Sequence, residues 1–594
     1  MNLSPEEKQI GKDNFNEAVG TTRRDFLKGT VLAGAAAGVS MGSMYFGYGP
    51  KIDDRLRVAI LGTGDEGGVL IGALNPDYID VRAIADIRPY SIYRAFHGDW
   101  ESPGAHTARK GLMEVYGWKT EDEARKQVKV YEGDKGSYQT LLDDPDLDIE
   151  AVIIAMPLHL HDAAAIHAMR KGKHVLTEKL MAHSVAQCKE MGRVAAATNR
   201  ILAVGHQRHY SILYDNAVDQ IRRGLVGNVH HVRAQWHRAN MPGNDSWQPP
   251  LPEAADYSLV DFEAALKTAG ADPRTRQALA KAHPLYSQLR SFKNRLAAAK
   301  GAEIDEWKNR VSQVEAQLKD ATVNAEAFGY TAKTLPGGYQ RSPLEELIRW
   351  RLFERTGGGL MVELGSHQLD ATSIFITAQR PDGKKVQPLT VVGVGGRSIF
   401  PADREVDDHV YCTFEFPGTG YYMDATNREV ADPNKKIGVT YSSINGNGFG
   451  GWGEIVFGTE GTLILDQEQD AMLFKGGNTS TKISVKQTGS GPAMDTYETG
   501  GGANAALAQA ATPTNVSRGY TEEMEHWAWC IRNPAPDHQP HCRPEIALGD
   551  AVIALTSNLA IAKGERIEFK PEWFDIASDE TPEGTKPRAA AEIT

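Results

Sequence analysis

Between residues 55 and 205, short apolar runs alternate with stretches of helical spacing. Residues 55–61 (RLRVAIL) enter a glycine-rich turn, and residues 69–74 continue as a helix. Residues 80–87 (DVRAIADI) read as a second strand. Residues 149–155 (IEAVIIA) are apolar almost throughout, the pattern of a parallel strand covered on both faces. A helix over 161–170, a strand over 174–177, a further helix and a strand over 201–205 complete the series. Strands alternating with helices predict a doubly wound α/β sheet of the Rossmann type.

The pattern changes near Gly227. The segments VGNVHHVRAQWH, LTVVGVGG, HVYCTFEF, GYYMDAT, EIVFGT and GTLILD alternate with a period of two and are punctuated by Gly or Pro. They predict a C-terminal α+β domain with an open, mostly antiparallel sheet, packed by helices over 359–378, 520–531 and 545–562. Residues 244–344 form an insertion. Leu285, Leu289, Phe292 and Leu296 make one apolar stripe, and Ile304, Trp307, Val311, Val314 and Leu318 make another. With Lys300-Gly301 between them, they predict a helical hairpin for packing or oligomer contact, a substrate lid being the alternative. Residues 487–514, rich in Gly, Ala, Thr and Ser, read as a surface loop, and the chain after 577 reads as a disordered tail. The expected division is 1–50 export signal and linker, 51–210 Rossmann domain, 211–577 second domain and 578–594 tail.

A chain of 594 residues exceeds one core, in keeping with two domains. The formal net charge of -12 argues against a nucleic-acid partner, which would require clustered Lys and Arg. The four cysteines lack the close spacing of a metal or redox motif, and no metal site is expected. Cys530 and Cys542 are near enough in sequence to pair in an oxidising compartment.

Such a compartment is suggested by residues 21–28 (TTRRDFLK), followed by a weakly apolar, Ala- and Gly-rich stretch to residue 42. This resembles a twin-arginine (Tat) export signal. It implies the Tat machinery as a partner and a periplasmic or otherwise exported protein, with the signal either cleaved or kept as an anchor. No other segment reads as transmembrane.

The loop Gly62-Thr63-Gly64-Asp65-Glu66-Gly67 follows a predicted strand and opens a helix, the context a dinucleotide fingerprint requires. Gly62 permits the turn, Gly64 lets backbone approach a pyrophosphate and Gly67 allows close helix–strand packing. Asp86 ends the second strand, where its carboxylate accepts from ribose hydroxyls and repels a 2′-phosphate. NAD is therefore expected over NADP, although Arg88 nearby works in the other direction. Asp65 and Glu66 put two carboxylates beside a phosphate site, which composition leaves unexplained.

Further along stand Met156-Pro157-Leu158-His159-Leu160-His161, then Gly172 to Thr177, Glu178 and Lys179. A second signature runs from Gly357 through Glu363, His367 and Asp370. With the glycine loop, these segments resemble the Gfo/Idh/MocA oxidoreductases over about residues 55–565, interrupted by the insertion. The resemblance implies a nicotinamide-binding Rossmann domain joined to an open-sheet substrate domain, and assembly as a homo-oligomer. It implies that Lys179 and His367 form the catalytic pair, with Glu363 orienting or binding substrate. Pro157, His161, Glu178 and Gln207 join Gly62, Gly64, Gly67, Asp86 and Arg88 at the cofactor. Lys179, Arg208, Trp236, His237 and Asp370 face the substrate.

The residue types suit the chemistry. A secondary alcohol gives up hydride only as its hydroxyl loses a proton, so a base and a cation must lie beside that oxygen. Spacing of i, i+4 and i+7 places Glu363, His367 and Asp370 on one helix face. An unperturbed histidine exchanges a proton near neutral pH. Two positions depart from the family: Glu363 replaces Asp, and Leu180 replaces the proline after Lys179.

The leading expectation is an exported NAD-dependent oxidoreductase acting on a sugar, glycoside or polyol with tightly held cofactor. One alternative is a glycosidase or lyase using transient oxidation and elimination. The other is a non-catalytic binding or assembly protein on the same fold.

Overall fold

The structure is a computed structural model that describes residues 3–23, 41–49, 51–253, 256–424, 429–489, 491–496, 508 and 518–593. Residues 24–40, which hold Arg24 and most of the twin-arginine stretch, lie outside the described residues.

The first sheet has six parallel strands: β1 (Leu56–Leu61), β2 (Ile79–Ala85), β3 (Lys129–Tyr131), β4 (Ala151–Ile154), β5 (His174–Glu178) and β6 (Leu202–Gly205). Their order is β3-β2-β1-β4-β5-β6, so the chain reverses its direction of winding between β1 and β4. Ligands collect at the carboxyl edge of such a switch point. β1 and β4 are buried almost completely, as their apolar runs require.

The second sheet is eight-stranded and mixed. It comprises β7 (Val229–His237), β10 (Thr390–Gly396), β11 (His409–Pro417), β12 (Lys436–Ile444), β13 (Trp452–Gly458), β14 (Gly461–Asp466), β15 (Asp470–Lys475) and β18 (Ile567–Glu568). The order is β15-β14-β13-β7-β12-β11-β10-β18, and only β7 and β12 run parallel. β8 (Lys333–Thr334) and β9 (Gln340–Arg341) form a small hairpin. The helix Pro544–Lys563 packs between the two sheets' layers and contributes to both cores. Among the described residues it alone is long and apolar enough to cross a membrane, and most of it is buried inside the protein.

Four expectations are corrected. The strand expected over GYYMDAT is absent as far as that segment is described: Tyr422 makes one isolated bridge to Val430. Residues 487–488 and 491–496, expected in a loop, belong to a hairpin of β16 (Ile483–Thr488) and β17 (Gly491–Thr496); residues 490, 497–507 and 509–517 lie outside the described residues. The tail after 577 is ordered against the helix Val185–Thr198. Lys189 Nζ donates to the carbonyls of Glu572, Ser578 and Glu580, and Arg193 donates to those of Ile576, Ala577, Ser578, Pro587 and Arg588. Ile593 is buried. A polar tail thus becomes fixed because buried cations on the helix need its carbonyl oxygens. Finally, residues 5–22, assigned to signal and linker, form the helix Pro5–Thr22 with a Ser4–Glu7 capping box. Its stripe of Phe15, Ala18 and Val19 enters the core of the second domain.

The insertion carries four helices where two were expected: Leu259–Thr268, Pro273–Ala282, Pro284–Ala298 and Glu303–Lys319. The last two are the anticipated hairpin, turning at Gly301 with φ of +57°, and their stripes meet in one apolar cluster with Phe262 and Leu266. Cys530 and Cys542 are both free, buried thiols; Cys530 Sγ lies 3.5 Å from His526 Nε2.

Candidate functional site

A cleft of about 1890 Å³ opens along the carboxyl edge of the first sheet and is walled on the other side by the second domain and the insertion. At its floor, Gly62 has φ of +87°, and a Cβ there would lie 2.5 Å from the Ala155 carbonyl. A Cβ on Gly67 would meet the Gly62 carbonyl at 2.3 Å, whereas Gly64 faces open space. The loop therefore packs closely at two glycines and leaves its middle glycine free for a ligand. The helix Asp65–Ala73 starts here with no side-chain cap, which leaves N–H groups directed at the cleft.

Asp86 accepts from Thr63 N at 2.8 Å and from Arg88 N at 2.9 Å, which fixes its carboxylate at the rim. Burial pushes its pKa up, against those two amides. Oδ1 keeps a lone pair for a ribose hydroxyl. These features fit a dinucleotide. The two unexplained loop carboxylates divide. Asp65 Oδ1 pairs with Arg94 at 2.8 Å; burial opposes its ionisation, but Arg94, Arg109 and Arg351 outweigh it and hold the carboxyl well below the usual range. Glu66 lines the cleft with Oε1 buried and unpaired.

β5 delivers Glu178 and Lys179 opposite that loop. Glu178 receives a hydrogen bond from Lys179 N at 3.1 Å while its Oε1 is unpaired. Burial, then the neighbouring Glu66, pushes the Glu178 pKa up to about 8. The Lys179 ammonium donates to the Glu363 carbonyl oxygen at 2.8 Å, and the Lys179–Leu180 peptide bond is cis. His161, expected at the cofactor, lines the cleft, but its two ring nitrogens lie 2.9 Å from the Leu180 carbonyl and 2.8 Å from the Met156 carbonyl. It pins the two loops that carry Lys179 and Pro157; Pro157 itself lines the cleft.

The second signature differs from the expected helix. The helix opens at Gly359-Leu360, widens into a π-type turn over Met361–Gly365 and continues as α-helix over Ser366–Thr377. The wider turn shifts Glu363 out of the 3.6-residue phase of the helix that carries His367 and Asp370. The Glu363 carboxylate reaches Arg351 Nε at 3.0 Å; burial opposes its ionisation, but Lys179 and Arg351 prevail and lower its pKa. His367 is 8% exposed and its ring lies 5.6 Å from that of Trp236. Burial, then Lys179 and Arg208, pushes its pKa well below the usual value, so it is a neutral imidazole rather than a group titrating near pH 7.

Asp370, expected at the substrate, points away from the cleft to His209 (3.0 Å) and Lys385 (3.2 Å) and is fully buried. Arg208 is likewise withdrawn: it is buried behind Trp236, with Nε donating to Glu468 at 2.8 Å. Gln207 is buried off the cleft, with Oε1 unpaired. Trp236 and His237 do line the cleft, with Trp236 stacked on Trp452 at 5.4 Å. Sequence reasoning missed Arg351, Trp452, Trp247 and Trp350, which complete this wall. The side chain of Arg238, adjacent to them, makes no hydrogen bond or ion pair among the described residues and lies over the Trp247 ring at 5.7 Å.

A parallel sheet with a glycine turn at its switch point, an acidic strand end and a lysine facing a second domain define a dinucleotide-binding α/β protein. Residues 56–206 match the family model described as the oxidoreductase family with NAD-binding Rossmann fold (GFO_IDH_MocA). Over these residues the chain is similar to the NAD-binding Rossmann domain of that oxidoreductase family.

A glycosyl hydrolase family 109 protein of Solibacter usitatus is 26% identical over 223 residues, covering 36% of this chain and 46% of the relative. A 1,5-anhydro-D-fructose reductase of Ensifer adhaerens is 29% identical over 127 residues, 21% of this chain and 37% of the relative. The chain thus spans less than half the length of these curated relatives. The solved aldose-aldose oxidoreductase of Caulobacter crescentus, complexed with glycerol, aligns over 87% of this chain and all of that one, at 15% identity and a TM-score of 0.46.

Proposed function

We propose that the protein is an NAD-dependent oxidoreductase that acts on a secondary alcohol of a sugar, glycoside or polyol. The observation that carries this reading is the Lys179 ammonium, held by the Glu363 carbonyl between the glycine loop and an aromatic wall. Bound NAD would supply the hydride acceptor. Gly62, Gly64 and Gly67 would receive its pyrophosphate and Asp86 its ribose hydroxyls. Lys179 has two N–H groups left for the reacting oxygen and stabilises negative charge that develops there. His367 does not line the cleft, but its buried imidazole feels the Lys179 charge; it is assigned as the proton acceptor of the pair, and its weak basicity makes it carry the proton only transiently.

The walls suit a carbohydrate. Trp236, Trp452 and Trp247 offer apolar faces, while Arg238, His237 and Asn240 offer polar groups. Asn240 Nδ2 and Trp452 Nε1 are buried donors without partners among the described residues, ready for hydroxyl oxygens. The 1,5-anhydro-D-fructose reductase among the relatives supports this class. The relatives named glycosyl hydrolase family 109 proteins favour a second reading, in which transient oxidation precedes cleavage of a glycosidic bond without net redox change.

Residues 21–28 support export through the Tat pathway, and the exposed Val392, Val394 and Tyr411 on β10 and β11 support self-association through the open sheet.

The test is to purify the folded protein, identify released nucleotide by mass spectrometry, and add a panel of glycosides and polyols while following absorbance at the reduced-nicotinamide band. Reduction by one class of compound is expected. A protein that neither contains nor binds a dinucleotide would refute the reading, and aglycone release with unchanged NAD would select the second one.

A further inference from the structure

The inserted helices reach the far end of the dinucleotide cleft, where Asp86 marks the place for an adenosine ribose. Asp320, immediately after the helix Glu303–Lys319, is fully buried against the Rossmann domain. Its Oδ2 accepts from Arg88 Nε at 2.9 Å and pairs with the same guanidinium's second nitrogen at 2.8 Å. Its Oδ1 accepts from Tyr90 N at 3.0 Å. Gln313, earlier on the same helix, bonds to Trp100 N at 2.6 Å and Asp99 Oδ1 at 2.9 Å, so the insertion is bound to this rim at two independent points. Ile87, between Asp86 and Arg88, packs under Phe328 and Tyr330 of the insertion.

Arg88 is the residue that a 2′-phosphate would need. It follows the ribose-binding acid by two positions and lines the cleft. One of its two donor edges, Nε with Nη2, is however already committed to Asp320, and the face of the guanidinium is directed to the Tyr90 ring at 5.6 Å. A 2′-phosphate would be left the edge that Asp320 does not use, and there it would meet a guanidinium already neutralised by a buried carboxylate, with Asp86 close by.

We propose that the insertion is a selectivity clamp for the dinucleotide: Asp320 holds Arg88 away from a 2′-phosphate and thereby makes the site choose NAD over NADP. The clamp rests on the reading of the cleft as an NAD site. It assigns to a residue 232 positions beyond Arg88 a choice that Asp86 alone makes only in part. Asp320 is a positioning residue here, acting through Arg88.

Protein stripped of nucleotide is titrated separately with NAD and NADP by calorimetry, with no substrate present. Wild type is expected to prefer NAD by at least about a hundredfold. Asp320→Ala frees Arg88 and is expected to tighten NADP binding by about tenfold or more, with little change for NAD. The gain disappears when Arg88→Leu is added. An unchanged NADP affinity in folded Asp320→Ala overturns the proposal, as does a gain that survives in the double variant. Should Asp320→Ala fail to fold, the wild-type ratio still decides: equal affinity for the two dinucleotides overturns the clamp and leaves the cofactor site intact. Binding of neither dinucleotide overturns the cofactor reading as well.

Discussion

The Lys179 ammonium is anchored not by a carboxylate but by the backbone carbonyl of Glu363, 2.8 Å away and 184 residues further along the chain. The π-type turn that presents this carbonyl joins the two domains chemically, because one domain supplies the cation and the other its position. Lys179→Met keeps the unbranched shape of the side chain, one atom shorter, and removes the charge. We expect kcat/KM to fall by roughly 10²–10⁴-fold while nucleotide binding changes little. Steady-state kinetics with nucleotide titration checks this; a loss below tenfold would show that the lysine has no part in the chemistry.

Because the contact uses backbone, the Glu363 side chain has a separate role, in holding Arg351 at 3.0 Å. Glu363→Gln leaves the Lys179 hydrogen bond to the backbone in place, weakens the hold on Arg351 and removes a negative charge that Lys179 feels. The expected result is a larger rise in KM than fall in kcat, with kcat lowered by no more than about tenfold. Equal loss in kcat and kcat/KM would mean that the carboxylate acts in the transition state.

The Rossmann half is legible from residues 55–205 because a strand buried on both faces and a glycine turn are local signals. The three-residue strand Lys129–Tyr131 is too short to register a period. β12 escapes for another reason: it alternates along its whole length, but Gly, Thr and Ser occupy many positions, and its parallel partner β7 is far away in the chain. In the site, Lys179 and Glu178 are legible from the strand end that carries them. Arg208 and Asp370 mislead because their partners, Glu468 and Lys385, are set by tertiary packing. Arg351 gives no sequence signal, being one of several arginines in a polar stretch before the Gly357-Gly358-Gly359 run.

Glu178 makes stability depend on pH. Its folded pKa is pushed up to about 8 by burial and then by Glu66, against an ordinary value of 4.5. Between these values the folded protein holds a proton that the unfolded chain releases, so stability falls as pH rises and the full penalty is present above about 8. Glu178→Gln has the same shape without the charge. In nucleotide-free protein, its melting temperature should exceed that of wild type increasingly from about pH 5 to about pH 9, by several degrees at the upper end. Parallel melting curves at all pH values would contradict the assignment.

The ordered tail rests on Lys189, whose ammonium is fully buried on the helix Val185–Thr198 and donates to the Glu572, Ser578 and Glu580 carbonyls at 2.9, 3.1 and 2.6 Å. Burial, then Arg193, lowers its pKa to about 8, while the charges of Asp575, Glu583 and Asp579 work in the other direction, so it is charged at neutral pH. Lys189→Met fills the same channel with an apolar chain and leaves those carbonyls without that donor. The cost of buried unpaired acceptors suggests a loss of about 2–4 kcal/mol, readable by urea denaturation. Protease cleavage near residue 578 should become faster in the variant, since the segment then keeps Arg193, the Arg588–Glu190 pair and the Ala186–Glu583 hydrogen bond but loses its buried ammonium. A tail that contributed nothing to the fold would show neither effect, and removing residues 579–594 would leave the wild-type midpoint unchanged.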